Sequence, residues 1–474
     1  MARPSARCKE TRNRASTCKP LPPPSGAAVS PERSFRYEGF DLDPARGLLT
    51  CRYSLGERGF TEKITFNPHG QGGNWDSPGV GQAARLICLL AGVSYYKTAA
   101  PPLVDLGRIP VTPVELEFLR AFYVGGLGEF AYRNDLDLSA LRLVGGTIGG
   151  PAASGPRRGS GARHAMLIPF GGGIDSIVTV ELMRQRGDTA LFVMSRPGDR
   201  FAAIERPAAV TGLPVVRAGR EIDPQLLRSG ELGFLNGHVP VTGILSAIAV
   251  MAALLDGRDT VVMSNEWSAS VGTLQAGGRV INHQFSKSME FEAGFRRVLA
   301  DALGGRLSYF SALRPFTELW VARKFAGLTQ YHDTFRSCNR AFHIDPALRL
   351  DHWCGRCDKC CFIDLILAPF LPAEELGQIF GGSEPLADPA LADRFRALLG
   401  TSAVSKPFEC VGDVGECRAA AVLAGRRPDR AGTALLHTLT AQFPAPDQPT
   451  IEALLRPVGE HWIPDAYAAD DLLV

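Results

Sequence analysis

The stretch from Met166 to Glu181, MLIPFGGGIDSIVTVE, constrains the fold of this chain most. It is an apolar run, then three glycines, an Asp-Ser pair and an apolar pattern at helical spacing, which predicts a strand, a tight loop and a helix. Gly171, Gly172 and Gly173 have no Cβ, so their backbone N–H groups can lie against an oxyanion at the positive end of the following helix. The stretch therefore predicts a phosphate-binding loop in an α/β protein.

This stretch could be one of three kinds of phosphate loop. A Walker loop needs Lys followed by Ser or Thr after its last glycine, and no loop of the chain has that pair. A dinucleotide loop needs a small residue where Ser176 stands and an acidic residue after the second strand, which ends instead in Ser195-Arg196. Asp175 indicates a third kind, because a carboxylate in an anion site repels the anion unless a divalent metal lies between them. We therefore predict Mg²⁺ bridging Asp175 to a polyphosphate, with an ordinary Gly-rich turn as the alternative.

The loop resembles the signature of the PP-loop ATP pyrophosphatases, Ser-Gly-Gly-x-Asp-Ser. Gly172, Gly173, Asp175 and Ser176 match it, whereas Gly171 stands in place of the leading Ser and removes one hydroxyl donor to the pyrophosphate. The resemblance implies an ATP-binding domain built on a parallel sheet.

The patterns along the chain predict an α/β fold with several regions. Residues 34–66 alternate apolar and polar, which predicts a small antiparallel sheet. Strands at Ala190–Ser195, Pro214–Arg217, Thr260–Ser264 and Arg306–Phe310 alternate with helical patterns, which predicts a parallel sheet. The expected regions are a disordered basic tail (1–33), an N-terminal α+β region (34–150), a linker (151–163, within a Gly- and Ser-rich stretch that begins at 145), the PP-loop domain (164–335), a Cys-rich zinc subdomain (336–382) and a mostly helical C-terminal region (383–474).

Composition limits the partners and the compartment. A formal net charge of +2 over 474 residues gives no field that demands nucleic acid or a membrane surface. The longest apolar helical run, Val241 to Leu255, is shorter than the roughly 20 residues that span a bilayer, so we expect a buried helix and no membrane insertion. The basic N-terminus lacks an apolar export signal, and the eleven cysteines are partly clustered. We expect a cytoplasmic protein whose clustered cysteines bind metal.

The cysteine cluster has the spacing of a metal site. Cys354, Cys357 and Cys360 recur every third residue, and Cys338 lies upstream. Four thiolates at this spacing can surround Zn²⁺, which we predict as a structural ion. An iron–sulfur cluster is the alternative. Cys361 is expected to be a free buried thiol, and Cys410 and Cys417 two isolated thiols.

Three further stretches are rich in polar groups where the carboxyl ends of strands are expected. NGHVPVT (236–242) precedes the buried helix, and SNEWSAS (264–270) follows a strand, so Asn265 and Glu266 are candidate site residues. NHQFSKSMEFE (282–292) is expected to open a helix, with His283, Lys287 and Glu290 as candidates for proton transfer or carboxylate binding. A plain helix entry and a surface salt bridge are the alternatives for the first and third stretches.

The same three stretches, together with SFRYEGFDLD (34–43), SCNR (337–340) and WCGRCDKCCF (353–362), resemble the bacterial UDP-N-acetylmuramoyl-L-alanyl-L-glutamate epimerases. The resemblance implies ATP- and Mg²⁺-dependent inversion of the terminal Glu of UDP-MurNAc-L-Ala-L-Glu in peptidoglycan precursor synthesis, and so a part in cell wall biogenesis, cell shape and cell division. An acyl-adenylate would make the α-proton removable, and AMP and pyrophosphate would be released. Gly171, Gly172, Gly173, Asp175, Ser176 and Asn265 would bind the nucleotide and Mg²⁺, whereas Glu266, His283 and Lys287, with Asp175, are the candidate catalytic residues.

Two other functions stay open from the sequence. The CGxCxxC cluster in a PP-loop protein also resembles the 7-cyano-7-deazaguanine synthases, and a metal cluster with a basic tail suits a tRNA-modifying enzyme, although nucleic acid is the less favoured partner. A non-catalytic nucleotide-binding module is the other alternative, which Gly171 in place of Ser favours.

Overall fold

The computed structural model describes residues 34–67, 73–149, 164–276, 278–401 and 407–468. The described strands are β1 (Ser34–Asp43), β2 (Leu48–Leu55), β3 (Arg58–Asn67), β4 (Leu103–Asp105), β5 (Pro110–Val111), β6 (Arg142–Val144), β7 (Thr147–Ile148), β8 (Ala165–Pro169), β9 (Asp188–Ser195), β10 (Val215–Glu221), β11 (Thr260–Met263), β12 (Leu274–Ala276), β13 (Arg279–Ile281) and β14 (Ser308–Ser311). The predicted tail (1–33) and linker (151–163) lie outside the described residues.

The described α-helices run from the N-terminal region to the C-terminal one. They are α1 (Val80–Ala91), α2 (Val93–Tyr96), α3 (Pro113–Gly126), α4 (Gly128–Arg133), α5 (Ile174–Met183), α6 (Ala202–Thr211), α7 (Val241–Leu255), α8 (Met289–Leu303), α9 (Glu318–Ala326), α10 (Asp358–Leu367), α11 (Ala373–Ile379), α12 (Ala392–Leu398), α13 (Val414–Gly425), α14 (Ala434–Thr440) and α15 (Gln448–Leu454). None of the helices in the described ranges has the length and apolar content to cross a membrane.

One large, mostly parallel sheet organises the molecule. Its strand order is β14-β11-β8-β9-β10-β3-β2-β1-β4-β6. The five strands from β14 to β10 are parallel to their neighbours. β3 then pairs antiparallel with β10, with Thr65 opposite Gly219, and β2 and β1 continue the antiparallel part. The α/β fold with a large parallel sheet is thereby confirmed.

The N-terminal strands correct one expectation. They do form an antiparallel unit, but it extends the edge of the parallel sheet and is not a small sheet of its own. Just before the predicted linker, Thr147–Ile148 forms β7 and pairs with β5. The predicted parallel strands are present with bounds shifted by a few residues.

Two apolar cores lie on the two sides of the parallel strands. Helices α1, α3, α7 and α8 contribute to a core with the N-terminal strands, and α7 is buried as its apolar sequence predicts. Helices α5, α9, α10 and α13 contribute to the other core. Because helices cover both faces, the carboxyl ends of the parallel strands are left as the open edge at which ligands of such sheets bind.

Candidate functional site

The glycine loop joins β8, the middle strand of the parallel part, to α5. Gly172 has φ of +75°, and a Cβ built on it would lie 2.1 Å from the carbonyl oxygen of Ala203, so only glycine fits. Gly171 is exposed, and a Cβ there would meet no heavy atom within 4 Å. α5 begins at Ile174, which places Asp175 and Ser176 in its first turn. The strand, loop and helix predicted from the sequence are therefore present.

The segment that leads into the cysteine cluster supports the loop from behind. The Arg336 N–H donates to the carbonyl oxygen of Gly172 at 3.1 Å. A Cβ on Gly173 would lie 2.8 Å from the Ser337 hydroxyl oxygen. The next residue, Cys338, is the first member of the cluster, so the shape of the loop depends on where that cluster holds the chain.

A cavity of about 370 Å³ opens in front of the loop. It lies where β8 and β11 are neighbours and the connections leave in opposite directions, which is the ligand-binding position of open α/β sheets. Its polar lining comes from the loop, from the end of β11 and from five other segments: Gly171, Gly173, Asp175, Ser176, Thr242, Ser264, Asn265, Lys287, Arg336, Ser337, Lys359 and Cys410.

Three carboxylates converge beside this cavity. Asp175, Glu266 and Glu318 each offer an oxygen, and these oxygens lie within 4.8 Å of one another. Asp175 Oδ1, both oxygens of Glu266 and Glu318 Oε2 are buried with no hydrogen-bonding partner among the described residues. Buried carboxylates without partners are costly, and oxygen ligands of this kind suit a hard divalent cation. The carboxylate cluster could hold Mg²⁺.

The charges around the carboxylate cluster shift its titration. Burial and the charge of Glu266 raise the pKa of Asp175 to about 6. Burial and the charge of Asp175 raise the pKa of Glu318 well above its ordinary value. Lys287 counters them: burial lowers its pKa, but the charges of Cys410, Glu266 and Asp175 raise it beyond the ordinary value, so it stays protonated.

A buried arginine fixes two backbones of the site. Arg314 donates to the carbonyl oxygens of Glu266 at 2.8 Å and Lys287 at 2.6 Å, and its charge is paired with Glu292 at 2.8 Å. Arg314 and Glu292 are each 1 % exposed. This buried pair holds the segment after β11 and the turn before α8 at a constant separation.

The four cysteines predicted as metal ligands lie together. The sulfurs of Cys338, Cys354, Cys357 and Cys360 are within 4.8 Å of one another, with Cys354–Cys360 at 3.6 Å and Cys357–Cys360 at 3.4 Å. Tetrahedral Zn–S bonds of about 2.3 Å require sulfurs at roughly 3.8 Å, so the set fits a single ion of that size.

A second polar group stands behind the cavity. The Cys410 thiol lies close enough to His283 for each group to shift the pKa of the other. His283 Nδ1 is paired with Oε2 of Glu129. Oε1 of the same carboxylate accepts a hydrogen bond from Arg133 Nε at 2.5 Å. His238 lies beside them, with its ring 4.2 Å from that of His283. Among the described residues, Cys410 lines the cavity, and His283 lies behind it without lining the cavity itself.

The structure brings most of the predicted site residues together, but His283 does not line the cavity and Glu290 lies elsewhere. Gly171, Gly173, Asp175, Ser176, Asn265 and Lys287 line the cavity, and Glu266 joins the carboxylate cluster. Glu290 does not belong: it is exposed and lines a different cavity, because the helix begins at Met289 and not at 282.

Sequence reasoning missed Glu318, Cys410, Glu129 and Lys359. Glu318 carried a local signal, since Thr317 is a helix N-cap just past a parallel strand. Cys410 is a free thiol, as expected, but its place on the cavity wall was not predicted.

The fold and site define an α/β protein with a glycine-rich loop at the switch point of its parallel strands. Within that class, the chain belongs to the MurL family: the MurL N-terminal domain matches residues 28–312 and the MurL C-terminal domain matches residues 334–453.

Curated relatives agree with the domain match. The chain is 39% identical over 442 residues to the UDP-N-acetyl-alpha-D-muramoyl-L-alanyl-L-glutamate epimerase of Xanthomonas oryzae pv. oryzae, covering 91% of this chain and 95% of the relative. It is also 39% identical to the protein of the same name in Salinispora tropica, covering 92% and 94%. The chain is therefore an epimerase, and epimerases are isomerase enzymes.

Proposed function

We propose that this enzyme inverts the terminal L-Glu of UDP-MurNAc-L-Ala-L-Glu, with ATP and Mg²⁺, through an acyl-adenylate and with release of AMP and pyrophosphate. The substrate is the one in the names of its relatives. The observation that carries the ATP step is the position of the carboxylate cluster beside the glycine loop, with Asp175 lining the same cavity as the loop. Such a step would belong to peptidoglycan precursor synthesis in the cytoplasm, and through it to cell wall biogenesis, cell shape and cell division.

The residues divide the work between phosphate and substrate. The loop N–H groups and the first turn of α5 would bind the triphosphate. Asp175, Glu266 and Glu318 would hold Mg²⁺, which supplies charge neutralisation at the phosphates when bound. Asn265 and Lys287 line the same cavity and would contact the glutamyl carboxylate or its adenylate. Since Lys287 stays protonated, it acts as a fixed positive charge and not as a base.

The cysteine cluster would hold a structural Zn²⁺. The short sulfur–sulfur distances favour one ion over an iron–sulfur cluster, whose sulfurs are spread over several irons. By fixing Cys338, the ion would hold Arg336 and Ser337 against the glycine loop.

The test is to incubate the purified, metal-loaded protein with Mg-ATP and UDP-MurNAc-L-Ala-L-Glu. AMP, pyrophosphate and the chirality of glutamate after acid hydrolysis are then assayed. We expect AMP and D-Glu, both dependent on the dipeptide, and neither with UDP-MurNAc-L-Ala, which lacks the reacting residue. Asp175→Asn should remove both products. ATP binding without pyrophosphate release would contradict the proposal and indicate a nucleotide-binding module.

A further inference from the structure

Cys410 is a thiol on the wall of the cavity that holds the glycine loop. It is half-buried and lies just before α13, about 235 residues along the chain from Asp175. Lys359 donates to its backbone carbonyl, which ties the segment to the first turn of α10. The fold therefore brings a nucleophilic and basic side chain into the site from a region with no local motif.

A row of polar side chains supports this thiol from behind. His283 lies close enough to Cys410 to lower the pKa of the thiol, His283 Nδ1 is hydrogen-bonded to Glu129, and Glu129 accepts a hydrogen bond from Arg133 on α4. Glu129 is 5 % exposed. A thiol held by an imidazole that a carboxylate orients is the arrangement by which proteins activate a weak acid–base group.

The surrounding charges favour the thiolate. Burial raises the pKa of Cys410, but Lys287 and His283 outweigh it and lower that pKa to about 7. Burial lowers the pKa of His283, but Cys410 and Glu129 raise it to about 9. Lys359 also lowers the pKa of Cys410, and Glu409 is the adjacent acidic side chain. At neutral pH about half of Cys410 is therefore thiolate, and His283 is largely imidazolium.

Building on the proposed function, we propose that Cys410 is the catalytic residue that takes the α-proton of the activated glutamate, with His283 and Glu129 as positioning residues. The described wall has four other charged side chains. Lys287 is protonated, Asp175 belongs to the carboxylate cluster, and Arg336 and Lys359 are basic side chains that bear no carboxylate or thiolate. Nothing in the nucleotide-binding role requires a thiol at this position.

Cys410 takes the proton from one face of the α-carbon, and solvent supplies a proton to the other face. The Cα–H bond breaks, an S–H bond forms on Cys410, and the electron pair of the C–H bond passes into the activated carboxyl as an enolate facing the positive charge of Lys287. A proton from solvent then bonds to the opposite face of the α-carbon. The thiol returns its proton to solvent, so the product carries one solvent hydrogen at the α-carbon.

The decisive experiment measures activation and inversion separately in Cys410→Ala. Substrate-dependent exchange of labelled pyrophosphate into ATP reports adenylation, and α-deuterium incorporation in D₂O reports proton transfer. We expect inversion and deuterium incorporation to fall by about 100-fold or more, while exchange stays within a few-fold of wild type. Cys88→Ala, which removes a thiol buried in the other core, should leave both unchanged.

The outcomes separate this proposal from the function beneath it. Normal inversion by Cys410→Ala would overturn the role of Cys410 while leaving the epimerase intact. A wild-type protein with no substrate-dependent exchange would overturn the proposed function, and this proposal with it. A mass addition of the glutamyl substrate on Cys410 would also overturn it, because the thiol would then be the nucleophile and not the base.

Thiol alkylation tests the relay without any turnover. In wild type, iodoacetamide labelling of Cys410, located by peptide mass spectrometry, should rise with pH around a midpoint of about 7. His283→Gln should move that midpoint about one unit or more upward, toward an ordinary thiol, because the imidazolium is lost. An unchanged midpoint would overturn the role of His283, because replacing a merely structural side chain would leave the midpoint where it is.

Discussion

Glu318 and Glu416 are neighbouring buried carboxylates that differ in what surrounds them. Glu318 shares the carboxylate cluster with Asp175 and Glu266. Glu416 accepts a hydrogen bond from the Leu319 N–H, and burial and Asp413 raise its pKa to about 8, so it is mostly neutral at pH 7. Only Glu318 shares a cluster of ligand oxygens that could hold a cation, because Glu416 lies outside the group formed with Asp175 and Glu266.

Replacing Glu318 by Gln should therefore weaken Mg²⁺ binding. We expect the Mg²⁺ concentration for half-maximal pyrophosphate exchange to rise about tenfold or more, because one ligand oxygen set loses its charge. The melting temperature of the metal-free variant should not fall, since like-charge repulsion is relieved. Glu416→Gln is the matched control and should behave as wild type. Equal Mg²⁺ requirements in both variants would exclude Glu318 as a ligand.

Gly171 and Gly172 are adjacent, but substitutions at the two positions should affect the stability of the protein differently. Gly171→Ser, which restores the hydroxyl of the resembling signature, meets no atom within 4 Å and should leave the melting temperature unchanged. Gly172→Ala places a Cβ against the Ala203 carbonyl at a φ of +75° and should lower the free energy of unfolding by about 2 kcal/mol. Thermal and denaturant unfolding would check both. A destabilised Gly171→Ser would contradict the loop geometry.

At the scale of elements, local patterns were predictable and distant pairings were not. The strand, loop and helix around Gly172 and the spacing of Cys354, Cys357 and Cys360 depend on neighbours within a few positions. The pairing of β3 with β10 joins residues some 150 positions apart, and the approach of Cys410 to His283 spans more than 120. Alternation of apolar residues predicts a strand but carries no information on its partner.

The site follows the same division. Arg314 has no motif around it, yet it fixes the backbones of Glu266 and Lys287 through its own side chain. Glu266 and Lys287 themselves were predictable, because polar residues crowd the ends of predicted strands. The row of polar side chains behind Cys410 depends on α4, an element whose only sequence signal is a short helical pattern.

Because the cysteine cluster is connected to the glycine loop, loss of zinc from the cluster should affect ATP binding at the loop. Cys354→Ser should lose the bound zinc, measured by elemental analysis, and should weaken ATP binding, because Arg336 and Ser337 are no longer held against Gly172 and Gly173. Cys361→Ala removes the adjacent thiol outside the cluster and should retain the zinc. A zinc-free Cys354→Ser variant that binds ATP as tightly as wild type would show that the two elements are not coupled.

For the whole molecule, the carboxylate cluster predicts opposite pH trends for metal-free stability and for metal affinity. The pKa of Asp175, about 6, lies above the ordinary value of about 3.9, so the folded protein binds more protons than the unfolded chain between those values. Metal-free stability should therefore fall as pH rises through this window, and the raised pKa of Glu318 extends the fall upward.

Magnesium competes with the same protons, so its effect on melting temperature should grow as pH rises. Below pH 6 its affinity should fall about tenfold for each pH unit, because a ligand carboxylate must lose its proton first. Melting curves with and without Mg²⁺ at pH 5, 6, 7 and 8 would measure this, at constant zinc. In Asp175→Asn the stabilisation by Mg²⁺ should be smaller and less dependent on pH. A magnesium-induced shift of equal size at pH 5 and pH 7 in wild type would mean that the cation binds away from these carboxylates.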